Sequence, residues 1–292
     1  MIEIQFHNHA SELISLSGAY LEQNESENNL PIGLAYRLAE DPYYYGSELP
    51  LLLSLLEQRK VVGVAIMTPP HRIILSRIDA NIQVAVVYLI RYLRGMNTRI
   101  PGVVGPAAEA QAFSDCWIED QQSVSPRIVM RLRVFEARQV ADLPLSHGKL
   151  RSAHMDDHLL MAQWFVAFSE EIGEPADLES AKKRAEQHIK AQRLYIWDRG
   201  APVSIAAATR PTRNGTTINW VYTPPEHRNK GYATSCVLSL TKKLLSERYA
   251  FCSLYTDLSN PASNNIYTKI GYVPVGDAFS FDFVPSESLN GV

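Results

Sequence analysis

Apolar positions along this chain recur with two periods. Some stretches return every third or fourth residue, as one face of an α-helix demands, and others form short apolar blocks bounded by Gly, Pro or Asn, as buried strands do. The second half is the more regular. "KLRSA" (149–153) predicts a short strand; Asp156 and Asp157 then open a helix through "DHLLMAQWFVAFSEE". An acidic loop, "SEEIGEPAD" (169–177), leads to a second helix through "LESAKKRAEQHIKAQ". Strands are predicted at "RLYIWD", "PVSIAAATR" and "TTINWVYT". Asn214 and Gly215 predict a type I′ hairpin turn between the last two, because both central positions of such a turn need positive φ. "ATSCVLSLTKKLLSERY" places Val237, Leu240 and Leu244 on one helical face, and "CSLYTD" reads as a buried strand. Asn260 fits an N-cap with Pro261 in the first helical position and Gly271 closing that helix; "YVPVGD" and "FSFDF" predict a final pair of strands.

The first 140 residues follow a loosely similar order. A helical start (10–39) precedes two strands around a Gln58–Lys60 turn, "LLLSLLEQ" and "VVGVAIM", and then "RIILS". A helix over 82–95, a short strand at "GVVG", a helix over 107–117 and a strand at "IVMRLRVFEA" complete it. The order of elements predicts a degenerate duplicate, so two domains are expected, 1–140 and 145–292, joined through "FEARQVADLPLSHG".

Composition narrows the function classes. With 28 basic and 31 acidic residues the charges nearly cancel, so no global field favours nucleic acid or an anionic membrane, and any basic site must be local. Three widely spaced cysteines without a Cys-x-x-Cys pair argue against a disulfide framework or a zinc ribbon, and point to a reducing cytoplasm. No apolar run is long enough to span a bilayer, and no export or anchoring segment is expected. Gly-x-Ser-x-Gly, Walker and Gly-x-Gly-x-x-Gly motifs are absent.

One stretch concentrates charge and small residues: "PEHRNKGYATS" (225–235), between a strand and a helix. A helix start leaves its first N–H groups unpaired, and with the helix dipole they attract an anion. Gly231 lets the backbone approach a phosphate, Ala233 is small, and Arg228 and Lys230 add charge, so a pyrophosphate fits; a solvated basic turn capped by Thr234 or Ser235 is the plainer reading.

"VYTPPEHRNKGYA" resembles the acyl-CoA signature of the GNAT superfamily of N-acetyltransferases, Gln/Arg-x-x-Gly-x-Gly/Ala after a strand, here Arg228-Asn229-Lys230-Gly231-Tyr232-Ala233. Asn229 and Ala233 stand where Gly is frequent. "NPASNNIYTKIGY" (260–272) is similar to the family's Asn-x-x-Ser-x-x-x-Tyr-x-x-x-Gly-Phe/Tyr segment at Asn260, Ser263, Tyr267, Gly271 and Tyr272, and the order of elements over 145–292 also agrees. The resemblance implies an α/β protein with a mixed sheet in the GNAT acyl-CoA N-acyltransferase fold, in tandem.

It also implies an acetyl-CoA-dependent N-acetyltransferase acting on an amine of a small molecule or peptide, with no metal. The backbone of Val221, Tyr222 and Thr223 would hold the pantetheine and polarise the thioester carbonyl, and Arg228, Asn229, Lys230, Gly231, Tyr232, Ala233 and Thr234 would hold the pyrophosphate. Asn260 and Ser263 would bind the cofactor arm, although Asn260 suffices as a cap. Tyr267 would act as general acid toward the departing thiolate, although it is one of 14 tyrosines and could simply pack. No carboxylate on "TTINWVYT" offers a general base, leaving a water relay or a residue of the 169–177 loop. Glu170, Glu171, Glu174 and Asp177 crowd that loop and would draw a cationic acceptor, or would simply be solvated. "HMDDH" spaces His154 and His158 for a metal but lacks a third ligand. The first half has no counterpart of 228–233 and is expected to bind no cofactor. Two rivals stand beside the enzyme: a non-catalytic acyl-CoA-binding regulatory module, and an interaction protein with a vestigial loop.

Overall fold

In a computed structural model of the 292-residue chain, the described residues are 1–119, 121, 123–173 and 175–286, except the side chains of 261–263. The chain forms two compact units, and the partition is not a single cut. The first takes Met1–Val134, Thr256–Pro261 and the chain from Pro274; the second takes Phe135–Tyr255 and Ala262–Val273.

The elements begin with β1 (Ile2–Phe6), α1 (Ala10–Leu21), α2 (Asn29–Glu40), β2 (Leu51–Glu57), β3 (Lys60–Met67), β4 (Ile73–Leu75), α3 (Ile82–Gly95), β5 (Gly102–Pro106), α4 (Ala107–Ile118) and β6 (Val124–Ala137). There follow β7 (Lys149–Ser152), α5 (His158–Glu171), α6 (Leu178–Lys190), β8 (Leu194–Asp198), β9 (Pro202–Thr209), β10 (Gly215–Tyr222), α7 (Tyr232–Glu247), β11 (Phe251–Asp257), α8 (Pro261–Ile270) and β12 (Val273–Pro285).

In the first unit the strands lie in the order β1-β2-β3-β4-β5-β12-β6. Alternation sorts their side chains: Leu53, Leu55, Ala65 and Met67 pack with α3 and α4, whereas Leu52, Val64 and Ile66 pack with α1 and α2. Each of the Leu, Ile, Val and Met side chains among them, fully removed from water, stabilises by about 1.5–3 kcal/mol. One strand was not expected, and two expectations change here. The period-2 run at 2–6 forms β1, paired antiparallel with β2 from Ile2↔Glu57 to Phe6↔Leu53, a strand too short to stand out in the pattern. The helical start is two helices, because Asn28 spends its side-chain amide on the carbonyl of Leu21 at the end of α1. The final pair of strands is one, β12, in which Gly276 lies against Glu27, whose Oε1 would be 2.7 Å from an added Cβ.

In the second unit the order is β11-β10-β9-β8-β7. Leu194, Ile196, Ile205 and Ala207 face α5 and α6, while Tyr195, Trp197, Ala206 and Ala208 face α7. Arg151 ties the start of this unit together, binding Asp157 through two nitrogens (2.7 and 2.9 Å) and Asp198 through Nε (2.6 Å). The β9–β10 hairpin forms, but not through a type I′ turn. Neither Asn214 nor Gly215 has positive φ, and residues 210–214 make a five-residue loop. Gly215 serves cross-strand clearance instead, since a Cβ there would meet the Phe251 ring at 2.2 Å. The two successive positive φ values of a I′ turn occur at Gln58 (51°) and Arg59 (64°), between β2 and β3.

All three cysteines are free thiols; Cys236 on α7 and Cys252 on β11 lie in the same core. Among the described residues no helix is long and apolar enough to cross a membrane.

Candidate acyl-CoA and acceptor site

The second unit builds its site where β10 diverges from β11. Their parallel pairing runs from Gly215↔Phe251 to Thr217↔Ser253 and ends, although both strands continue. A bulge causes the divergence. The register on β9 steps from Asn219↔Ala207 to Tyr222↔Ile205, and Trp220 takes φ +54°, a conformation that bulky residues rarely adopt. The Asn219 side chain accepts the Trp220 N–H at 2.8 Å and steadies the kink. Beyond it, Ser204 Oγ donates to the Tyr222 carbonyl (3.2 Å) and bonds the Thr223 hydroxyl (2.9 Å), so the Val221–Thr223 backbone is held in place.

A turn at Pro225–His227 carries the chain from β10 to α7. Gly231 occupies the N-cap with φ +76° and makes no side-chain cap, and Asn229 takes φ +60°. Asparagine tolerates the left-handed region, which resolves the departure at 229 from the usual glycine. Among the described residues, the N–H groups of Asn229, Lys230, Gly231, Tyr232, Ala233 and Thr234 have no hydrogen-bond partner. They form an unfilled donor set at a helix N-terminus, the arrangement that favours a phosphate.

Three side chains of this loop are engaged by groups of the same chain. Arg228 donates from Nε to the Thr223 carbonyl at 2.9 Å and pairs with Glu171. Lys230 Nζ reaches the Glu226 carbonyl at 2.8 Å. Tyr232 is buried, its hydroxyl taking a hydrogen bond from Arg199. The donor set is therefore backbone, with the two cations engaged elsewhere.

One participant was invisible in the pattern. The segment before β7 lies along the loop, where Ser146 Oγ donates to the Lys230 carbonyl and its N–H donates to Ser235 Oγ, both at 2.8 Å. An added Cβ at Gly231 would sit 2.7 Å from Ser146 Oγ. The same segment bonds the end of α8, Ala141 N–H to the Ile270 carbonyl at 2.8 Å. Nothing local to 225–235 signals Ser146, more than eighty residues upstream.

Tyr267 lies on α8, buried, with its ring beside Phe135 (6.4 Å) and Tyr272 (6.1 Å). Its hydroxyl has no hydrogen-bond partner among the described residues, and burial pushes its pKa up to about 12. Asn260 is exposed, its N–H on the Asp257 carbonyl at 3.0 Å, and it is grouped with the first unit, not with 221–234. The side chain of Ser263 lies outside the described residues.

The acidic stretch differs from the expected loop. Glu170 and Glu171 belong to the last turn of α5, Asp177 caps α6 by accepting the Ser180 N–H at 2.9 Å, and Glu174 lies outside the described residues. His158 Nε2 bonds the Lys182 carbonyl at 2.9 Å, and Asp157 is bound by Arg151. Among the described residues no group of three His, Cys, Asp or Glu side chains could hold a metal. Aromatic rings gather on the other side of β10: Trp220 lies 4.5 Å from Phe165 and 5.1 Å from Phe168, and Trp164 lies 6.0 Å from Tyr222.

In the first unit the equivalent strand–helix junction is self-satisfied. Asn81 caps α3 by accepting the Val84 N–H at 3.1 Å, and the buried Glu109 carboxylate takes the Ile78 N–H at 3.0 Å. Two open cavities of about 500 and 490 Å³ flank α1, around His7 and around Tyr20.

The diverging strands and the donor-lined helix start define an α/β protein with the GNAT acetyltransferase fold, and solved structures agree along nearly the whole chain. An acetyltransferase of the GNAT family from Colwellia psychrerythraea is 15% identical, TM-score 0.60, covering 97% of this chain and 100% of its own. A GCN5-related N-acetyltransferase from Sphaerobacter thermophilus is 14% identical, TM-score 0.60, covering 97% and 95%. A tandem GNAT protein from the clavulanic acid biosynthesis pathway is 10% identical, TM-score 0.56, covering 98% of both chains. The family model described as FR47-like protein matches residues 198–277, from the last residue of β8 into the first part of β12. No curated protein matches the chain in sequence.

Proposed function

We propose that this protein is an acetyl-CoA-dependent N-acetyltransferase, with the cofactor held by the second unit. The observation that carries this reading is the run of six N–H groups from Asn229 to Thr234 that have no partner among the described residues, beside the point where β10 leaves β11. Those donors suit the pyrophosphate of coenzyme A, and the opening between the strands suits its pantetheine arm. Asn260 and Ser263 would contact that arm.

In the reaction the lone pair of a neutral amine forms a bond to the thioester carbon. The C–S bond breaks with its electrons on sulfur, and the nitrogen sheds a proton to water, giving an amide and the free thiol. An N–H of Val221–Thr223 would stabilise the oxyanion. Tyr267 suits a refined role. A phenol near 12 is a weaker acid than a thiol near 8.5 by about 3 units, so complete proton transfer to the thiolate runs uphill by about 4–5 kcal/mol. We assign Tyr267 the donation of a hydrogen bond to the departing sulfur, with water completing its protonation. With its α3 N-terminus already capped, the first unit, the first 140 residues in particular, acts as an accessory domain without cofactor.

Two measurements on the full chain test this. Coenzyme A at about 100 times its dissociation constant should stabilise by about 2.7 kcal/mol in a thermal-shift assay. Acetyl-CoA with a panel of amines should release free thiol. A thermal shift without thiol release across the panel would establish the binding module in place of the enzyme, and no shift at millimolar coenzyme A would leave the fold with a vestigial loop.

A further inference from the structure

The bulge in β10 does more than separate it from β11. A regular strand would send Ile218, Trp220 and Tyr222 to one face. Instead Ile218 and Val221 pack toward α7, while Trp220 and Tyr222 pack toward α5 and α6. The phase slip occurs at Trp220, whose φ of +54° stores strain of about 1–3 kcal/mol. Strain of that size is retained where it places a side chain for use, and here it turns an indole to the side of β10 opposite the α7 N-terminus. With the cofactor on the α7 side, the nucleophile has this other side from which to approach.

Three rings there, Trp164, Phe168 and Trp220, are partly exposed, on two different elements. Arg184 extends its guanidinium over the Trp220 ring, 4.9 Å from the centroid. Neither Arg184 nor Arg193 has a carboxylate partner among the described residues. Both lie near enough to His188 to help burial lower its pKa to about 4. Around His188 and Trp220, the guanidinium groups of Arg184 and Arg193 disfavour a further cation. Of the acids expected to attract one, Glu171 is paired with Arg228 and Asp177 is engaged in capping α6, while Glu170 is exposed in the last turn of α5.

We infer that the acceptor is an amine carried on an aromatic ring system, and that Trp220, with Trp164 and Phe168, forms the wall that selects it. This inference rests on the acetyltransferase reading above. Ring faces and edges reward an aromatic guest by about 0.5–1.5 kcal/mol per contact beyond the area buried, and an aliphatic chain forgoes that. An apolar, positively flanked site also lowers the pKa of a bound ammonium, which supplies the neutral nucleophile without a carboxylate base on β10.

The test compares 2-phenylethylamine, hexylamine and spermidine as acceptors for the full chain with acetyl-CoA, following thiol release. The expected kcat/KM for phenylethylamine exceeds the other two by about tenfold or more. Equal or better turnover of hexylamine or spermidine overturns the inference and leaves the acetyltransferase intact; no release with any amine overturns the acetyltransferase reading and this one with it. Trp220→Asn, which tolerates positive φ, should raise KM for phenylethylamine about tenfold with KM for acetyl-CoA within about twofold. An equal loss for all three amines would mark Trp220 as structural. Should that variant not fold, Arg184→Gln at the exposed end of the same wall serves: it should improve spermidine relative to phenylethylamine about threefold or more, and no change in that ratio counts against the wall.

Discussion

Replacing Gly231 by alanine tests the loop at its most constrained point. Two separate penalties apply. A Cβ at φ +76° costs about 1–2 kcal/mol, because an L-residue in the left-handed region crowds its own carbonyl. The same Cβ would lie 2.7 Å from Ser146 Oγ, the free end of a side chain, so the serine rotates away and gives up its hydrogen bond to the Lys230 carbonyl. That bond contributes about 1 kcal/mol. Gly231→Ala should therefore destabilise by about 2–3 kcal/mol, and Ser146→Ala alone by about 1 kcal/mol. The double variant should lose only slightly more than Gly231→Ala, because the clash and the bond vanish together. A double-mutant cycle in urea should thus return a coupling of about 1 kcal/mol. The thermal shift on coenzyme A should fall sharply in Gly231→Ala and less in Ser146→Ala, since only the first moves the donor groups. Gly231→Ala within about 0.5 kcal/mol of the parent, with strictly additive effects, would refute both the strain and the strap.

Tyr267→Phe should lower kcat about 10- to 100-fold while leaving the coenzyme A shift intact and stability nearly unchanged, because the hydroxyl has no protein partner to lose; unchanged turnover removes its role at the sulfur. His188, held near 4 by burial and by Arg193 and Arg184, stays neutral in the fold while the unfolded chain protonates it near 6.5. Stability is therefore full above pH 6.5 or so and falls by about 3 kcal/mol as pH drops toward 4, then levels for this group; urea midpoints for His188→Gln should lack that slope. Glu171→Gln frees Arg228 from an exposed pair worth less than about 1 kcal/mol, so stability should hold while coenzyme A affinity rises about two- to fivefold and grows more salt-dependent. Unchanged affinity would show that Arg228 does not reach the anion.

What could be read from the sequence divides along a physical line. The donor-lined loop before α7 was legible because its geometry is local: backbone N–H directions follow from the φ values of Asn229 and Gly231 and from the start of α7, all within six residues. The long helices α3 and α7 were legible for a similar reason, since periodic apolar faces are local patterns. Asn214–Gly215 misled because glycine answers two demands, positive φ and the absence of a Cβ, and only the Phe251 ring on a neighbouring strand shows which one operates. The bulge at Trp220 was illegible altogether. Ile218, Trp220 and Tyr222 read as unbroken alternation, and the slip that turns two of them toward α5 and α6 is imposed by packing. The same holds for Ser146, which meets the loop only after the chain has folded back across it. A cofactor common to a whole fold can be bound by a contiguous stretch of backbone, and on the proposed reading that is why its loop shows in the sequence. On the proposed reading, the acceptor would be met by side chains gathered from β10, α5 and α6, through a phase slip that no linear pattern records.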